Sequence, residues 1–415
     1  MDQSARDLAN DRSMGHWPEG LTRVPYWVYR DPDVARDEQA RLFEGPAWHF
    51  LCLDIDLPDI GDYRTTMVGA MPVVVSRAED GGIAAFENRC AHRGALICLD
   101  DAGKGKDFHC IYHAWRYDLR GNLKSIAFRH GVNGKGGMPE NFDMAAHGPR
   151  KLRVTVVCGL VFGTLSEEAP DFETYVGPEV MARLRRVLHK KLEVIGRFTQ
   201  PLPCNWKLYM ENVRDTYHAS LLHTFFTTFR ITRLSQGGGV MVGANGVAHA
   251  STTLAAPPGP DDTYAGMRSD NQGFQLEDPS FMASVAEFGD NIQLQILSIF
   301  PGFILQQIHN ALAIRQIVPR GVDKMDLNWT YIGFADDTPE LRNMRLKQGN
   351  LAGPAGLVSM EDGAVGGFVQ RGIAAANEED SILEMGGASA ETSETRATEA
   401  SVRGFWKAWR AHMDI

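Results

Sequence analysis

Cys90-Ala-His92-Arg-Gly94 and, after seventeen residues intervening from His92, Cys110-Ile-Tyr-His113 are the two stretches that decide how this chain is read. Each offers one thiolate and one imidazole. Such a set suits a [2Fe–2S] centre in which one iron takes both cysteines and the other both histidines. Exchanging thiolate for imidazole removes negative charge and raises the reduction potential. A structural zinc site also accepts Cys and His, but zinc sites usually pair like ligands, as C-x2-C followed by H-x3-5-H. Arg93 and Gly94 fit a tight loop over a cluster, and Tyr112, Trp115 and Tyr117 are placed to shield it from water.

Around these loops, from Trp48 to about Leu165, the text is a series of short β-type runs. Phe50-Leu-Cys-Leu, Tyr63-Arg-Thr-Thr-Met-Val, Met71-Pro-Val-Val-Val-Ser, Ile83-Ala-Ala-Phe and Val154-Thr-Val-Val are separated by Gly or Asp turns. A small antiparallel sandwich or barrel is expected, with the ligand pairs at its loop tips. Gly121-Asn122 reads as a hairpin turn, and residues 130–149, rich in glycine, as a long loop.

A second constellation lies downstream. Glu211-Asn-Val-Arg-Asp215-Thr-Tyr-His218-Ala-Ser-Leu-Leu-His223 brings two imidazoles close in sequence, and Asp362 follows in Met360-Glu-Asp362-Gly. Two histidines and one carboxylate with open positions form the facial triad that suits non-haem Fe(II) and dioxygen. Trp206–His223 has helical propensity. Asp215 and His218, three apart, are separated by roughly 300° of helical rotation and so lie on neighbouring faces, whereas His218 and His223, five apart, lie roughly 140° off. Both imidazoles reach one metal only if the helix is broken or carries a π-turn between them. Asp215 itself reads either as a fourth ligand or as an ordinary helix-face acid.

With these motifs in hand, C-x-H…C-x2-H, E-N-x2-D-x2-H-x4-H and the late Asp, the chain resembles the large (α) subunit of the Rieske non-haem iron aromatic-ring-hydroxylating oxygenases over nearly its whole length. Glu87–Leu96, His147–Val154 and Met360–Gly372 carry further likeness. The resemblance implies an α+β protein: an all-β Rieske domain plus a catalytic domain with a large curved antiparallel sheet flanked by helices, of helix-grip type. It implies a Rieske [2Fe–2S] cluster on Cys90, His92, Cys110 and His113, and mononuclear Fe(II) on His218, His223 and Asp362. Asp215 becomes the carboxylate that joins His218 to a cluster histidine, His113 of a neighbouring subunit. The implied reaction adds both atoms of O2 to a ring edge as a cis-dihydrodiol, with terephthalate the expected substrate. Electrons come from NADH through a separate flavin and iron–sulfur reductase, and a small β subunit completes an α3β3 (or α3) oligomer. A salicylate- or aminobenzoate-type hydroxylase is the alternative within the family. Outside it, the alternatives are an iron–sulfur electron carrier or a zinc-binding protein.

Composition agrees with a soluble enzyme. The 415 residues, 44% hydrophobic and 23% charged, are enough for two or three domains. The expected division is an N-terminal segment (1–47) packed on the catalytic domain, a Rieske domain (48–165) and a catalytic domain (166–415). No apolar run approaches the ~20 residues of a membrane span and the N-terminus lacks a secretory pattern, so the cytoplasm is expected. Of six cysteines, Cys52, Cys98, Cys158 and Cys204 remain as buried small hydrophobes. The net charge of −10 and the lack of a basic run argue against nucleic acid or an anionic membrane as partner. No G-x-G-x-x-G follows a strand, so the reductant is another polypeptide.

In the remaining text, Pro32–Phe43, Phe172–Leu188, Pro339–Leu351, Ser359–Arg371 and Glu399–Met413 read as helices, and Leu192–Gln200 as a strand. Strands beginning at Ile292, Phe303, Ala311 and Leu327 alternate apolar faces and form one curved sheet. Residues 235–275, rich in Gly, Pro and Asp and including Pro257-Pro-Gly-Pro260, read as a long loop, either lid or disorder. Arg315 interrupts the core-like Ala311-Leu-Ala-Ile-Arg-Gln-Ile-Val. A guanidinium there needs a partner, an intraprotein acid or a substrate carboxylate held bidentately. Arg396, among the acids of Ser393-Glu-Thr-Arg-Ala-Thr-Glu, is the second such candidate. Val213, Phe225, Phe226, Ile296, Leu305 and Val365 are apolar candidates for the pocket wall.

Overall fold

The β-type runs of the first half pair into one seven-stranded antiparallel sheet, in the order His49–Leu53, Leu160–Thr164, Lys151–Val157, Ile83–Glu87, Met71–Arg77, Asp62–Val68 and Ala102–Lys104. The structure is a computed structural model that describes residues 16–256, 261–270, 273–376 and 378–415. Three valines in a row explain why strand Met71–Arg77 is buried on both faces. Val73 and Val75 join the main core, while Val74, on the other face, packs with Phe86, Phe108, Trp115, Tyr117 and both motif cysteines. A small three-stranded sheet (Phe108–His109, Arg116–Tyr117, Leu123–Ser125) frames the second motif loop. Its turn has Gly121 at φ +75°, and Asp118 accepts hydrogen bonds from the Arg120 and Asn122 amides.

The second half is organised on a seven-stranded antiparallel sheet: Leu192–Leu202, Met325–Phe334, Ala311–Pro319, Phe303–Ile308, Ile292–Ile299, Ala248–Leu254 and Gly238–Val242. Helix Trp206–Arg214 lies across strands Ile292–Ile299 and Ala311–Pro319 and packs between helices Ser359–Gly372 and Ala400–Met413. The two sheets are tied where Gln316 Nε2 donates to Phe50 O (2.9 Å) and Thr66 Oγ1 (3.1 Å).

The N-terminal residues follow the catalytic half. Arg23–Pro25 pairs antiparallel with Asp380–Ile382. Helix Pro32–Glu38, capped by Asp31 and started by a proline, ends on the buried Glu38. That carboxylate accepts from Trp206 Nε1 (2.9 Å), Trp409 Nε1 (2.7 Å) and Lys207 Nζ (2.7 Å). A buried ion pair with the acid's remaining lone pairs satisfied costs most when only one partner is removed.

Three expectations are corrected. Phe172–Leu188 is not one helix but two, Phe172–Val176 and Pro178–Val187. Gly177 at φ +88° followed by a proline without an amide donor interrupts the hydrogen-bond ladder. Residues 235–275 are not one loop either, since Gly238–Val242 and Ala248–Leu254 complete the catalytic sheet. Their small and polar text escaped the apolar-alternation signal because Ser251 and Thr253 face a cavity rather than packed side chains. Pro257–Pro260 lies outside the described residues. Cys158 also departs from expectation, lying half-buried at a turn with φ +52°.

Candidate active site

The two motif loops are built alike. Gly94 N donates to Cys90 O and Ala114 N to Cys110 O, both at 2.9 Å, and the cysteine amides reach across to Ala95 O (2.8 Å) and Trp115 O (2.9 Å). Gly94 and Ala114 occupy matching left-handed positions, φ +74° and +52°. Both thiols are thereby turned inward and buried, while His92 is exposed and His113 half-buried, their rings edge to face at 4.5 Å. Tyr117 Oη lies 3.2 Å from Cys90 Sγ and accepts from Ala91 N (3.1 Å), and Trp115 stacks on His92 at 4.9 Å. Tyr112 does not shield the site: it packs on His113 at 3.9 Å but is 58% exposed. This donor set, with soft thiolates inside and imidazoles at the surface, fits a two-iron cluster bound unequally at its two ends.

The break between His218 and His223 is present. Helix Trp206–Arg214 stops at Asp215, Ala219–Leu222 forms one turn, and His223 (φ −82°, ψ 75°) leaves it before Thr224–Thr228 begins. Asp215 Oδ1 holds this bend by accepting from Tyr217 N (2.9 Å) and His218 N (3.2 Å). Asp362, from helix Ser359–Gly372, then meets both imidazoles. Its Oδ1 is 3.4 Å from His218 Nε2 and 3.3 Å from His223 Nε2. One ligand atom from each residue lies within 4.8 Å of the others, the separation that suits a single ion. Buried His218 Nδ1 makes no hydrogen bond and stands 3.6 Å from Asp215 Oδ2.

Electrostatics point the same way. Burial opposes charge on His218, but Asp215 and Asp362 outweigh it and raise its pKa to about 10. Burial likewise opposes charge on His223, which Asp362 and Glu361 overcome. Although burial pushes Asp362 upward, the two imidazoles hold it well below the usual carboxylate range. A metal entering here displaces protons, so its affinity falls as pH is lowered.

Three polar neighbours were missed by reading the sequence. Asn212 Nδ2 donates to Asp362 Oδ1 (3.1 Å) and lies 3.3 Å from His218 Nε2. Glu361 Oε2 contacts His223 Nδ1 at 2.7 Å, a carboxylate behind a ligand ring. Its position directly before Asp362 was the available signal. Glu361→Gln is expected to weaken iron retention by roughly 10–100-fold while leaving the cluster absorbance intact, as measured by iron per chain after chelator dialysis. Glu211, the third, is lifted to about 7 by burial, against hydrogen bonds from Trp406 and Tyr29 and with help from Asp215 and Glu399. A carboxyl raised in the fold contributes stability that is complete below its ordinary value of 4.5 and lost as pH rises through about 7. Glu211→Gln, a neutral isostere, is therefore expected to raise Tm relative to the native chain at pH 8 and to lose that advantage by pH 5.

Asp215, His218, His223 and Asp362 line one cavity enclosing ≈ 610 Å³, part of it open to solvent, with Val213, Phe226 and Ile296 on its wall. Leu305 lies instead in the core, Phe225 is half-buried against the small cluster that includes Phe226, and Val365 faces a different cavity. Both sequence-selected arginines reach the first cavity. Buried Arg315 donates from Nη1 to Tyr209 Oη (2.8 Å) and stacks over Trp329 at 5.0 Å, while its Nε has no partner. Arg396 does not pair with its sequence-adjacent acids. It donates to Thr232 Oγ1 (2.9 Å), Gln236 O (3.0 Å) and Arg233 O, in a segment tied to the sheet by the bridge between Ser393 and Val240. Burial lowers it to about 10.

The sequence matches the Rieske [2Fe-2S] domain over residues 47–133 and the ring hydroxylating alpha subunit catalytic domain over 182–415. It is 57% identical to terephthalate 1,2-dioxygenase, terminal oxygenase component subunit alpha 2, of Comamonas sp, across 94% of this chain and 95% of that one. The chain belongs to the ring-hydroxylating α-subunit family. A second relative, the anthranilate 1,2-dioxygenase large subunit of Burkholderia cepacia, is 43% identical over 99% of this chain and 97% of its own length. The naphthalene 1,2-dioxygenase of Rhodococcus sp. bound to indole shares the fold, with a TM-score of 0.79 at 22% identity over 94% of each chain. As a ring-hydroxylating α subunit the chain is the oxygenase component of a multicomponent dioxygenase and carries a Rieske cluster and a mononuclear iron. Among the described residues no helix is long and apolar enough to cross a membrane.

Proposed function

We propose that this α subunit cis-dihydroxylates terephthalate at the 1,2 positions. Cys90, His92, Cys110 and His113 hold the cluster, and His218, His223 and Asp362 hold Fe(II). The observation that carries the substrate is that Arg315 and Arg396 line the cavity of the His–His–Asp triad and neither has an ion-pair partner among the described residues. A buried guanidinium without a counter-ion is costly, and a carboxylate bound by its fork removes that cost. Since the net charge of −10 opposes the approach of a dianion, capture depends on these local cations. Relatives acting on terephthalate and anthranilate, both aromatic carboxylates, support the same class.

When bound, the two centres supply electron storage and dioxygen activation. The chain's own residues orient and shield. Arg315 takes the carboxylate remote from the triad, Val213, Phe226 and Ile296 hold the ring, and Asn212 and Glu361 fix the triad's rings and carboxylate. Asp215 joins His218 to His113 of a second copy in an α3 or α3β3 assembly, so that one carboxylate accepts from an imidazole on each side. The electrons come from an NADH-dependent flavin and iron–sulfur reductase, and a small β subunit accompanies the α chains.

Turnover of the purified, iron-loaded oxygenase with a reductase on terephthalate, phthalate, isophthalate and salicylate under labelled dioxygen tests this. Two labelled atoms in a terephthalate dihydrodiol are expected. One labelled atom, or preference for salicylate, would show a monocarboxylate hydroxylase instead.

A further inference from the structure

Asn212, Asp215, His218 and Asp362 line not one cavity but two, and so form the partition between them. The second encloses ≈ 720 Å³, part of it open to solvent, behind largely apolar walls that include Leu208, Val365 and Val402. Two further carboxyls, Glu211 and Glu399, face it. Neither has an ion-pair partner among the described residues. Glu211, one helical turn before Asp215, accepts from Tyr29 Oη (2.9 Å) and from Trp406 Nε1. Glu399, half-buried at the start of helix Ala400–Met413, accepts from Met385 N (2.8 Å).

The charged groups around them do not neutralise them. Lys207, within reach of Glu211's charge, is held by Glu38 at 2.7 Å. Arg403, which pulls Glu399 down, is outweighed by burial, Asp215 and Glu384, and Glu399 stays above the ordinary carboxylate value. Burial in an apolar cavity with no facing cation shifts both carboxyls toward the protonated form. A cavity of this kind also has room for water to bridge the two acids.

We propose that this second cavity supplies the protons of the reaction, with Glu399 receiving them from solvent and Glu211 holding one beside Asp215 at the partition. The inference rests on the ring dihydroxylation proposed above. In that reaction the O–O bond breaks, two C–O bonds form, and the ring, O2, two electrons and two protons give the cis-dihydrodiol. The electrons arrive from a separate protein, so both protons enter a buried site from solvent. A proton leaving Glu211 is replaced through Glu399, and both acids end each cycle in the protonation state in which they began it.

The test compares native holoenzyme with Glu399→Gln and Glu211→Gln on any substrate that the native enzyme turns over. Failure of the terephthalate reading is then seen in the native enzyme, and failure of this one in the variants. The expected result is a fall in kcat of ~10-fold or more at pH 8, with KM, iron content and cluster absorbance unchanged. The solvent deuterium isotope effect on kcat rises, and formate restores turnover to Glu399→Ala. Should Glu211→Gln not fold, the Glu399 variants decide alone. Native kcat and isotope effect in Glu399→Gln, or loss of its iron or cluster, overturns the proposal.

Discussion

Asp215→Ala is expected to lower turnover by roughly 100-fold or more, ~2.7 kcal/mol in the barrier, while both metal centres remain assembled. The carboxylate has two separable tasks. Oδ1 caps the bend through the Tyr217 and His218 amides, and Oδ2 faces His218 Nδ1 at 3.6 Å. Alanine removes both, yet His218, His223 and Asp362 keep a bend closed also by Leu221 N and Leu222 N donating to His218 O at 2.8 Å. Asp215→Asn separates the tasks, since its amide oxygen still caps the turn but carries no charge for an imidazole on either side. Iron content, cluster absorbance and single-turnover yield from chemically reduced protein are the measurements. Wild-type turnover in Asp215→Asn would show that the charge between imidazoles is dispensable. Loss of iron in both variants would make the residue structural.

The second large effect is expected at Arg315. Its replacement by alanine should raise KM for terephthalate by ~1.5–3 kcal/mol, roughly 10–150-fold, the usual size of a hydrogen bond to a charged group. Nε has no partner in the protein and Nη1 is already placed by Tyr209 Oη, so the guanidinium is oriented before substrate arrives. Such preorganisation places the loss in KM rather than kcat. Arg315→Lys keeps the charge without the planar fork or the stacking on Trp329, and should recover only part of the affinity. An unchanged KM in Arg315→Ala sinks the assignment. An equal loss for an uncharged aromatic would show that the residue shapes the pocket rather than reads a carboxylate.

How far the site was legible depended on the kind of signal. Cys90, His92, Cys110 and His113 are chemically unusual neighbours at short spacing, and the helix arithmetic at His218 and His223 required the break that the fold contains. Glu361 was quoted with the motifs and had only its place directly before Asp362 as a signal, a weak one because an acid beside an acid is commonplace, while Asn212, an amide on a helix, had none. Strand Ala248–Leu254 was hidden because its inward residues line a cavity and are therefore small and polar.

Metal-binding chemistry was determined by sequence alone, because ligands must be of particular types and their loops are local. Whether Arg315 and Arg396 are ion-paired is a different matter. It depends on which side chains the sheet brings within a few ångströms, and partners such as Tyr209 and Thr232 lie more than 100 residues away. The wall between two cavities was likewise decided only by tertiary structure, where Asn212 meets Asp362 across 150 residues of chain. Residue type specifies what can bind, and packing over long chain separation specifies which charges are left free to do so.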